Sequence, residues 1–414
     1  MNALRSSGTS YRVPYLPRGT TYSEEEIEVL RNLLESDETL SCGRERTAFE
    51  VEFARFVGVE PARVVATSSC TVSLELAIYL AKLRPGDNVV VTAQSYQATL
   101  NPLLSLDVEV RFADIDEQTL CLDPASIGLL VDHRTKAVIL THYGGLMVDM
   151  DHLDIVLVGS NVLVIEDCAH AHGSALAGRR AGSLGHLACY SFQSMKNMST
   201  LGQGGMMILP SVAMAERVRR LIAVEPDAVF QPRSGSEKLE SYTRHPSIVF
   251  THEKNAFSHD CVSIFRHGTN STLAEPAAAV GRVQLRRLHE FLDRRRSIAD
   301  RLDGHLLGIA GVRPQKTPAN QNHSHHLYTC FVDAALGNQA VAAGMVERGV
   351  EIQQRYFPLH LLPEWRVRGG YPGQCPVTER VWFEEQLNLP IYPAMTDDQV
   401  DYMAEALHDT ISCL

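Results

Sequence analysis

The sequence has no long apolar segment and no surplus of basic residues. No run of about 18 apolar residues occurs, so a membrane-spanning helix is not expected. The 414 residues carry 38 lysines and arginines against 49 aspartates and glutamates, which gives a net charge of −11. Because nucleic-acid phosphates are bound by clustered cations, nucleic acid is not expected as a partner. Neither a membrane nor a nucleic acid is therefore predicted to be the main partner.

Cysteine pairs with the spacing of metal or redox sites are also missing. The nine cysteines are scattered along the chain, and no CxxC occurs among them. An odd and dispersed set indicates reduced thiols, and the N-terminal stretch MNALRSSGTSYRVPY lacks the apolar core of a signal peptide. We therefore expect a cytoplasmic protein. The HSHH stretch at 323–326 leads into a predicted strand, whose side chains alternate between faces, so no metal site is predicted.

Short apolar segments alternate with helical patterns along the first two thirds of the chain. NVVVTA, KAVILTHY and VLVIED contain unbroken apolar runs, which indicate strands that are buried on both faces. The segments TVSLELAIYLAKL and YQATLNPLLSL are predicted helices between such strands. This alternation predicts an α/β fold with a mostly parallel sheet. The nucleotide-binding patterns GxGxxG and GxxxxGK[ST] are absent.

The length predicts two domains, because 414 residues exceed what one compact core usually holds. Residues 1–290 are predicted to form the large domain, with an N-terminal arm and an irregular insertion at 224–268. Residues 291–414 are predicted to form a smaller C-terminal α/β domain, with strands at HHLYTCFVD and VEIQQRYF. The boundary lies inside a long predicted helix. Arg244, His245 and Arg266 in the insertion are candidates for shaping a substrate pocket.

Three chemically useful features lie where predicted strands end. Asp167 ends the strand VLVIED, and the turn at 69–71 offers helix N-terminal N–H groups that attract phosphate. Lys196 follows the strand LACYSF, and a lysine beside a buried site becomes nucleophilic enough for Schiff-base chemistry. Each also has an ordinary interpretation, as a helix cap or a surface charge. Together they supply the phosphate cradle, carboxylate and lysine that pyridoxal phosphate requires.

With these residues in place, the sequence resembles the DegT/DnrJ/EryC1/StrS family of pyridoxal-phosphate enzymes, often called sugar aminotransferases, of fold type I. The resemblance covers nearly the whole chain. Its motifs occur in the family's order: SSCTVSLELAI, IEDCAHAHGS, YSFQSMKNMSTLGQGG and GTNSTLAEPAAAVGRVQL. Three residues depart from the usual pattern: Cys70 replaces a glycine, Gln203 a glutamate and Thr272 an arginine. The last departure would remove an ion pair.

The resemblance implies a role for each matching residue. Lys196 would form the Schiff base, and Asp167 would pair with the pyridine nitrogen. The other implied cofactor contacts are Ser69, Cys70, Thr71 and Ser191 at the phosphate, Tyr96 stacked on the ring, and His170 beside the ring hydroxyl. Tyr96 and His170 could instead be core residues.

The resemblance also implies contacts with the substrate and with a second subunit. Asn270 would reach a neighbouring subunit's phosphate, which implies a homodimer with shared active sites. His360 matches a position near the substrate, although packing within its loop is an equal alternative, and Arg266 is a further substrate-binding candidate.

The activity implied by the resemblance is transamination. Glutamate or glutamine would donate an amino group to a ketone on a sugar nucleotide, a cyclitol or another small biosynthetic molecule, with Lys196 moving the proton. The EDCAHAHG and SFQSMKN motifs look more like the cyclitol and aminobenzoate branches. A lyase or carbon–carbon bond-forming enzyme that uses the same cofactor is one alternative, and a cofactor-binding regulator is another. Relatives that dehydrate deoxysugars carry histidine in place of the lysine, so Lys196 argues against dehydration.

Overall fold

The structure is a computed structural model that describes residues 11–232 and 259–414. The strands, in chain order, are β1 Val64–Thr67, β2 Asn88–Thr92, β3 Glu109–Ala113, β4 Thr135–Thr141, β5 Leu163–Asp167, β6 Ala175–Leu176, β7 Arg179–Arg180, β8 Leu187–Ser191, β9 Gly205–Ile208, β10 Asp227–Pro232, β11 His259–Arg266, β12 Val312–Pro314, β13 Gln321–Asn322, β14 Tyr328–Val332 and β15 Gln386–Leu389. The α-helices are α1 Glu24–Glu35, α2 Arg44–Val57, α3 Cys70–Leu80, α4 Pro124–Ile127, α5 Met150–Val156, α6 Val212–Ile222, α7 Glu275–Leu306, α8 Asn338–Glu347, α9 Pro363–Arg366, α10 Pro376–Arg380 and α11 Asp397–Ser412.

A seven-stranded sheet forms the centre of the fold, in the order β1-β9-β8-β5-β4-β2-β3. Neighbouring strands are parallel except at β9, which runs antiparallel to both β1 and β8. The other six strands therefore point the same way, and their carboxyl ends meet at one edge. This confirms the predicted mostly parallel α/β sheet of fold type I.

Both faces of this sheet are buried, as the unbroken apolar runs predict. On β1, Val64 joins one apolar cluster with Phe49 and Phe53 of α2. Its neighbour Val65 joins a second cluster, which includes Leu74 of α3. Successive side chains of a strand point to opposite faces, so helices cover the sheet on both sides.

Local chemistry defines an end of each of the first two helices. The carboxylate of Glu26 accepts hydrogen bonds from the backbone N–H of Ser23, at 2.7 Å, and from its hydroxyl, at 2.6 Å, as part of a capping box at the start of α1. Helix α2 ends at Gly58, whose φ of 88° suits glycine because it has no Cβ.

A second, smaller sheet lies in the C-terminal part of the chain, where β14 pairs antiparallel with β12 and β15. Helices α8 and α11 and the second half of α7 pack on it around a third apolar cluster. Along α7, Leu288 belongs to the cluster of the large sheet, whereas Ile298 and Leu302 belong to that of the small sheet. We retain a division of the chain near residue 290 as a proposal. No helix within the described residues has both the length and the apolarity to cross a membrane.

Two of the sequence-based element predictions are wrong, and one strand was missed. YQATLNPLLSL forms two short 3-10 turns, Gln97–Thr99 and Asn101–Ser105, because Pro102 has no N–H for a continuing helix. VEIQQRYF forms no strand; Val350 makes an isolated bridge to Val13, and the backbone at Arg355 bonds to side chains instead. The β15 strand was not predicted.

The insertion at 224–268 is partly regular. Its two ends pair as the antiparallel ribbon β10–β11, so the expectation of irregular structure is wrong there. The candidates Arg244 and His245 lie outside the described residues.

Candidate functional site

The predicted phosphate turn lies at the N-terminus of α3, directly after β1. The Ser69 hydroxyl accepts a hydrogen bond from the Val72 N–H at 3.3 Å, which caps the helix and leaves the N–H groups of Cys70 and Thr71 at its tip. β9 passes very close by: a Cβ at Gly205 would lie 2.5 Å from the carbonyl carbon of Ser69. Only glycine fits there without displacing the Ser69 backbone.

Ser191 lies level with this turn. In the sheet register, Thr67 of β1 and Ser191 of β8 both pair with Gly205 of β9 between them. Neighbouring strands are about 4.8 Å apart, so Ser191 lies about 10 Å across the sheet from Thr67. The register thus brings the predicted hydroxyl to the same edge as the turn.

Asp167, at the end of β5, is 4% exposed and surrounded by donors. Its Oδ2 accepts from the Thr99 hydroxyl at 2.6 Å, and its Oδ1 accepts from the Ala169 N–H at 3.0 Å. The Cys70 thiol lies 4.0 Å from Oδ1. Burial raises the pKa of this carboxyl above its usual value, whereas the Thr99 hydrogen bond opposes the shift. A cationic group opposite Asp167 would therefore be stabilised strongly.

A chain of hydroxyls continues inward from Asp167. The Ser95 hydroxyl lies 2.9 Å from that of Thr99 and 2.7 Å from that of Thr141, and all three residues are buried. Thr99 donates to the carboxylate, so the chain fixes the orientation of Asp167 from behind. These residues were not predicted, although hydroxyl side chains just past buried strands were the available signal.

Lys196 lies in the loop between β8 and β9, in range of the Asp167 carboxylate. Burial lowers the pKa of its amine to about 8, and the negative charge of Asp167 opposes that shift. The positive charge of Arg355 lowers it further. More of the amine is therefore neutral and nucleophilic near neutral pH than in an ordinary lysine.

The loop that carries Lys196 is held by a distant arginine through the N-terminal arm. A Cβ at Gly19 would lie 2.5 Å from the Lys196 carbonyl oxygen, so the arm lies directly on the loop. The guanidinium of Arg295, on α7, donates to the carbonyls of Gly19 at 2.6 Å and His325 at 2.9 Å. Arg295 is 1% exposed, and burial lowers its pKa to about 9. This network joins three separate parts of the chain at the lysine.

Stacked rings line the site beside Lys196. His170 is stacked between His326, with centroids 4.3 Å apart, and Tyr356, at 5.7 Å. Tyr96 is 45% exposed, and its ring lies 5.7 Å from that of Tyr356. Burial holds the pKa values of His170 and His326 well below the usual histidine value, so both rings are neutral. His326, Tyr356 and its neighbour Arg355 were not predicted, because only tertiary packing brings them here.

Asn270 lies beside the phosphate turn on a neighbouring segment. The Ser68 N–H donates to the Ser271 carbonyl at 2.8 Å, and Thr272 forms a bridge with Thr67. Asn270 itself is exposed, so it can be reached by another chain. The Thr272 hydroxyl lies 3.9 Å from the Cys42 thiol, where the usual arginine would have introduced a charge.

The two substrate candidates lie in different surroundings. His360 is fully buried, pairs with Glu379 at 2.8 Å and packs 5.8 Å from the Phe112 ring. This burial and pairing suit the loop-packing alternative, and the substrate role of His360 stays a prediction. Arg266 lines a cleft of about 350 Å³ together with Thr71, and its charge is paired with Glu75.

One trio of buried groups has ligand atoms within 4.8 Å of one another in the described part of the chain: His142, Glu166 and Cys168. The carboxylate of Glu166 pairs with His142 at 2.8 Å and accepts backbone hydrogen bonds from the 182–185 turn. Burial raises the pKa of the Cys168 thiol well above its usual value, which disfavours the thiolate that binds metal. The role of this trio is therefore structural: the hydrogen bonds of Glu166 connect β5 to His142 and to the 182–185 turn.

The residues present fit pyridoxal phosphate. The free N–H groups at the tip of α3 offer a phosphate site at one end, the buried Asp167 offers a carboxylate at the other, and the lysine lies within electrostatic range of that carboxylate. When bound, the cofactor supplies the electron sink for chemistry at the carbon beside a substrate's amine.

Replacing Gly205 by alanine is expected to weaken cofactor binding. The new Cβ would push into Ser69 and displace the α3 tip, at a cost of about 1–3 kcal/mol. We expect the dissociation constant of pyridoxal phosphate, measured by fluorescence titration of the apoprotein, to rise about 10-fold or more. Gly304→Ala is the matched control, because nothing lies within 4 Å of a Cβ at that helical position. Equal affinities of both variants would contradict this account of the turn.

The lowered pKa of Lys196 predicts how cofactor uptake depends on pH. Below its pKa the amine is protonated and unreactive, so the rate of pyridoxal phosphate incorporation should rise with pH through a midpoint of about 8. Stopped-flow absorbance of the apoprotein mixed with cofactor between about pH 6 and 10 measures this profile. Free lysine, with a pKa of about 10.4, is the comparison. A midpoint equal to that of free lysine would show that burial does not tune this amine.

Comparison with known proteins gives consistent matches over the whole chain. The model of the DegT/DnrJ/EryC1/StrS aminotransferase family matches residues 20–408. The spore coat polysaccharide biosynthesis protein SpsC of Bacillus subtilis is 31% identical over 94% of this chain and 95% of its own. The dTDP-4-dehydro-2,3,6-trideoxy-D-glucose 4-aminotransferase of Saccharopolyspora spinosa is 31% identical over 94% of each chain.

Solved structures share the fold. The aminotransferase TlmJ from Streptoalloteichus hindustanus superposes with a TM-score of 0.83 at 30% identity, over 97% of this chain and 99% of its own. The putative sugar aminotransferase Spr1654 from Streptococcus pneumoniae in its PLP-form shares the fold with a TM-score of 0.81 at 22% identity, over 97% and 99% of the two chains. The chain belongs to the DegT/DnrJ/EryC1/StrS aminotransferase family and is a pyridoxal-phosphate-dependent enzyme of fold type I.

Proposed function

We propose that the enzyme transfers an amino group from glutamate or glutamine to the ketone of a nucleotide-linked sugar. The observation that carries the proposal is the placement of Lys196: its pKa is lowered to about 8, and it lies in range of Asp167 beside a helix N-terminus that can hold phosphate. Such a lysine can bind the cofactor and then move a proton at the substrate carbon. The match to an aminotransferase family model supports this reaction class.

The roles of the chain's own residues follow from their positions. The Asp167 carboxylate, oriented by Thr99, would keep the pyridine nitrogen protonated. The tip of α3 at Ser69, Cys70 and Thr71 would hold the phosphate, together with the Ser191 hydroxyl.

Neighbouring rings complete the site. Tyr96 is exposed enough to cover one face of the cofactor ring, and the neutral His170 would contact the ring hydroxyl. Lys196, as a neutral amine, would remove the proton from the α-carbon of the amino donor. In the second half of the reaction it would return a proton to the carbon that accepts the amino group.

The acceptor assignment rests on the named relatives. One is a dTDP-4-dehydro-2,3,6-trideoxy-D-glucose 4-aminotransferase, and another, 29% identical over 91% of each chain, is a UDP-N-acetyl-3-dehydro-alpha-D-glucosamine 3-aminotransferase of Acidithiobacillus ferrooxidans. Both act on nucleotide-linked keto sugars by name, which favours that acceptor over the cyclitol suggested by the sequence motifs. Arg266, at the cleft beside Thr71, is retained as a candidate for contacting the acceptor.

The proposed reaction is tested in two halves. The cofactor-loaded enzyme with L-glutamate or L-glutamine should lose its visible absorption and form the corresponding oxo acid. Addition of a dTDP-4-keto sugar should then yield the amino sugar, detected by mass spectrometry. Lys196→Ala should lower the rate by about 10²–10⁴-fold or more, because it removes the amine that would move the proton. Lys136→Ala, at an exposed lysine paired with Asp87, is the control. Oxo acid release without an aminated sugar would exclude this acceptor, and release of a dehydrated product would indicate a lyase.

We also propose a cytoplasmic homodimer whose active sites are shared. All nine cysteines are free thiols, which suits a reducing compartment. Asn270 is exposed beside the phosphate turn, and the β10–β11 ribbon exposes Ile264 and Phe265 at 63% and 62%. Apolar side chains exposed on a two-stranded ribbon are typical of a surface that another chain covers.

Mixing two inactive variants tests the shared site. Lys196→Ala removes the nucleophile, and Asn270→Asp places a carboxylate against the partner's phosphate and repels it. If Asn270 serves the neighbouring subunit, mixed dimers contain one site with both native residues. We therefore expect the mixture, after partial unfolding and refolding, to recover activity that neither variant has alone. Size-exclusion chromatography with light scattering confirms the dimer, and an inactive mixture of confirmed heterodimers would show that Asn270 acts within its own subunit.

A further inference from the structure

His326 is a buried residue of the candidate site, and one of its ring nitrogens has no partner. The residue is 5% exposed, and its Nε2 makes no hydrogen bond within residues 11–232 and 259–414. A buried polar atom without a partner costs free energy, so its presence in a folded protein calls for a reason. The other nitrogen, Nδ1, lies 3.2 Å from the Asn197 side-chain oxygen. What Nε2 can bind depends on which of the two nitrogens carries the hydrogen.

The contacts of Asn197 fix the position of that hydrogen. The amide nitrogen of Asn197 lies 2.8 Å from the Ser324 carbonyl oxygen, which can only accept. The amide therefore presents its oxygen to His326. Because that oxygen also only accepts, the His326 Nδ1 must carry the hydrogen. Burial and the neighbouring His170 hold the pKa of His326 well below the usual histidine value, so the ring is neutral. The Nε2 of His326 thus keeps a free lone pair and is a hydrogen-bond acceptor.

His170, whose ring centroid is 4.3 Å from that of His326, carries its hydrogen on the other nitrogen. Its Nδ1 lies 3.4 Å from the Gly144 backbone nitrogen, whose N–H can only donate, so the neutral ring has its hydrogen on Nε2. The Tyr356 hydroxyl oxygen lies 3.4 Å from that Nε2. The stacked pair therefore offers one donor, on His170, and one acceptor, on His326. The donor serves the proposed contact with the ring hydroxyl, and the acceptor is left for another group.

The Lys196 amine is the group that suits this acceptor. Asn197, which binds the His326 ring, directly follows Lys196 in the chain, so the ring is tied to the lysine loop. Among the cations that lower the pKa of His326, Lys196 has the largest effect. Electrostatic interactions weaken with distance, so this order indicates a short separation. Within the described part of the chain, the amine makes no hydrogen bond and no ion pair of its own.

We propose that the Nε2 of His326 accepts a hydrogen bond from the Lys196 amine and thereby positions that amine. This inference rests on the proposed role of Lys196 in the reaction. An acceptor is the kind of partner that leaves the amine reactive, because the bond uses one of its N–H groups. A donor would instead occupy the lone pair with which the neutral amine acts as nucleophile and base. His326 is then a positioning residue that directs this lone pair without adding a charge to the site.

The contact predicts the direction in which the pKa of Lys196 moves when the Nε2 is removed. A hydrogen bond from the ammonium form favours that form, so its loss should lower the pKa below the present value of about 8. Loosened packing would instead admit water and raise the pKa towards about 10.4. The groups that act on the amine are Asp167, Cys70 and Arg355, and those that act on His326 are His170, Lys196, Arg295 and Arg355. A neutral substitution at residue 326 removes none of these groups.

Two substitutions separate the two ring nitrogens of His326. The short amide of His326→Asn can replace Nδ1 but does not extend to the position of Nε2, whereas the longer His326→Gln can place an acceptor there. The apoproteins are acetylated with traces of acetic anhydride between about pH 6 and 10, and peptide mass spectrometry gives the pH midpoint at which Lys196 becomes reactive. We expect this midpoint to fall by about 0.5–1 pH unit in His326→Asn and to stay near that of wild type in His326→Gln.

Two controls and a second measurement accompany the labelling. Lys136, an exposed lysine on β4, is labelled in the same samples and should give the same profile in every variant. His289→Asn changes an exposed histidine on α7 and should leave the Lys196 midpoint unchanged. NMR of wild type with ¹⁵N-labelled histidine should show the His326 hydrogen on Nδ1, with His326→Gln used only to assign the signal. This measurement serves if His326→Asn folds poorly.

Several outcomes would overturn the contact. A midpoint in His326→Asn that equals that of wild type, or rises towards that of free lysine, would leave His326 with a packing role only. An equal fall in both variants would assign the effect to the lost ring, and a hydrogen on the Nε2 in wild type would exclude it as an acceptor. The labelling needs neither cofactor nor substrate. A fall in His326→Asn alone, together with a Lys196→Ala enzyme that still transaminates, would refute the proposed role of Lys196 and leave the contact standing.

Discussion

The burial of one carboxylate, that of Asp167, organises the rest of the site. Its strand ends within a sheet that is covered on both faces, so the charge has little access to water. A buried carboxylate without partners would take up a proton. Here the Thr99 hydroxyl and the Ala169 N–H supply hydrogen bonds, and Lys196 supplies an opposite charge. The carboxylate is thus held by hydrogen bonds in a place that water hardly reaches.

The same burial acts in opposite directions on the two ionisable groups that face each other. It raises the pKa of Asp167 and lowers that of Lys196, so each group favours its neutral form when the other is not charged. Their mutual attraction counteracts both shifts. The positive charge of Arg355 also lowers the pKa of Lys196, so the surroundings of the pair affect how readily the lysine gives up its proton.

The features that the sequence predicted well are those that local chemistry determines. Unbroken apolar runs predicted strands buried on both faces, and the ends of those strands located Asp167, Lys196 and the turn at Ser69. The features that it missed depend on contacts between distant segments. Thr99 lies in a stretch that was predicted as a helix, and Arg355 in one that was predicted as a strand. His326 meets His170 only after the C-terminal part of the chain packs against the large sheet. His360 matched a motif position, but the motif could not show its environment, because Glu379 and Phe112 surround it only in the folded chain.

The contact between Gly19 and the lysine loop makes the N-terminal arm part of the catalytic apparatus. Arg295 holds the arm from a helix that also packs on the small sheet, and it binds the His325 carbonyl next to the stacked His326. A shift of the small sheet would therefore be transmitted through the Arg295 guanidinium to Gly19, and from Gly19 to the backbone of the Lys196 loop. An engineer who shortens the arm beyond Gly19, or grafts a new C-terminal portion to change substrate choice, would be altering the position of the nucleophile as well.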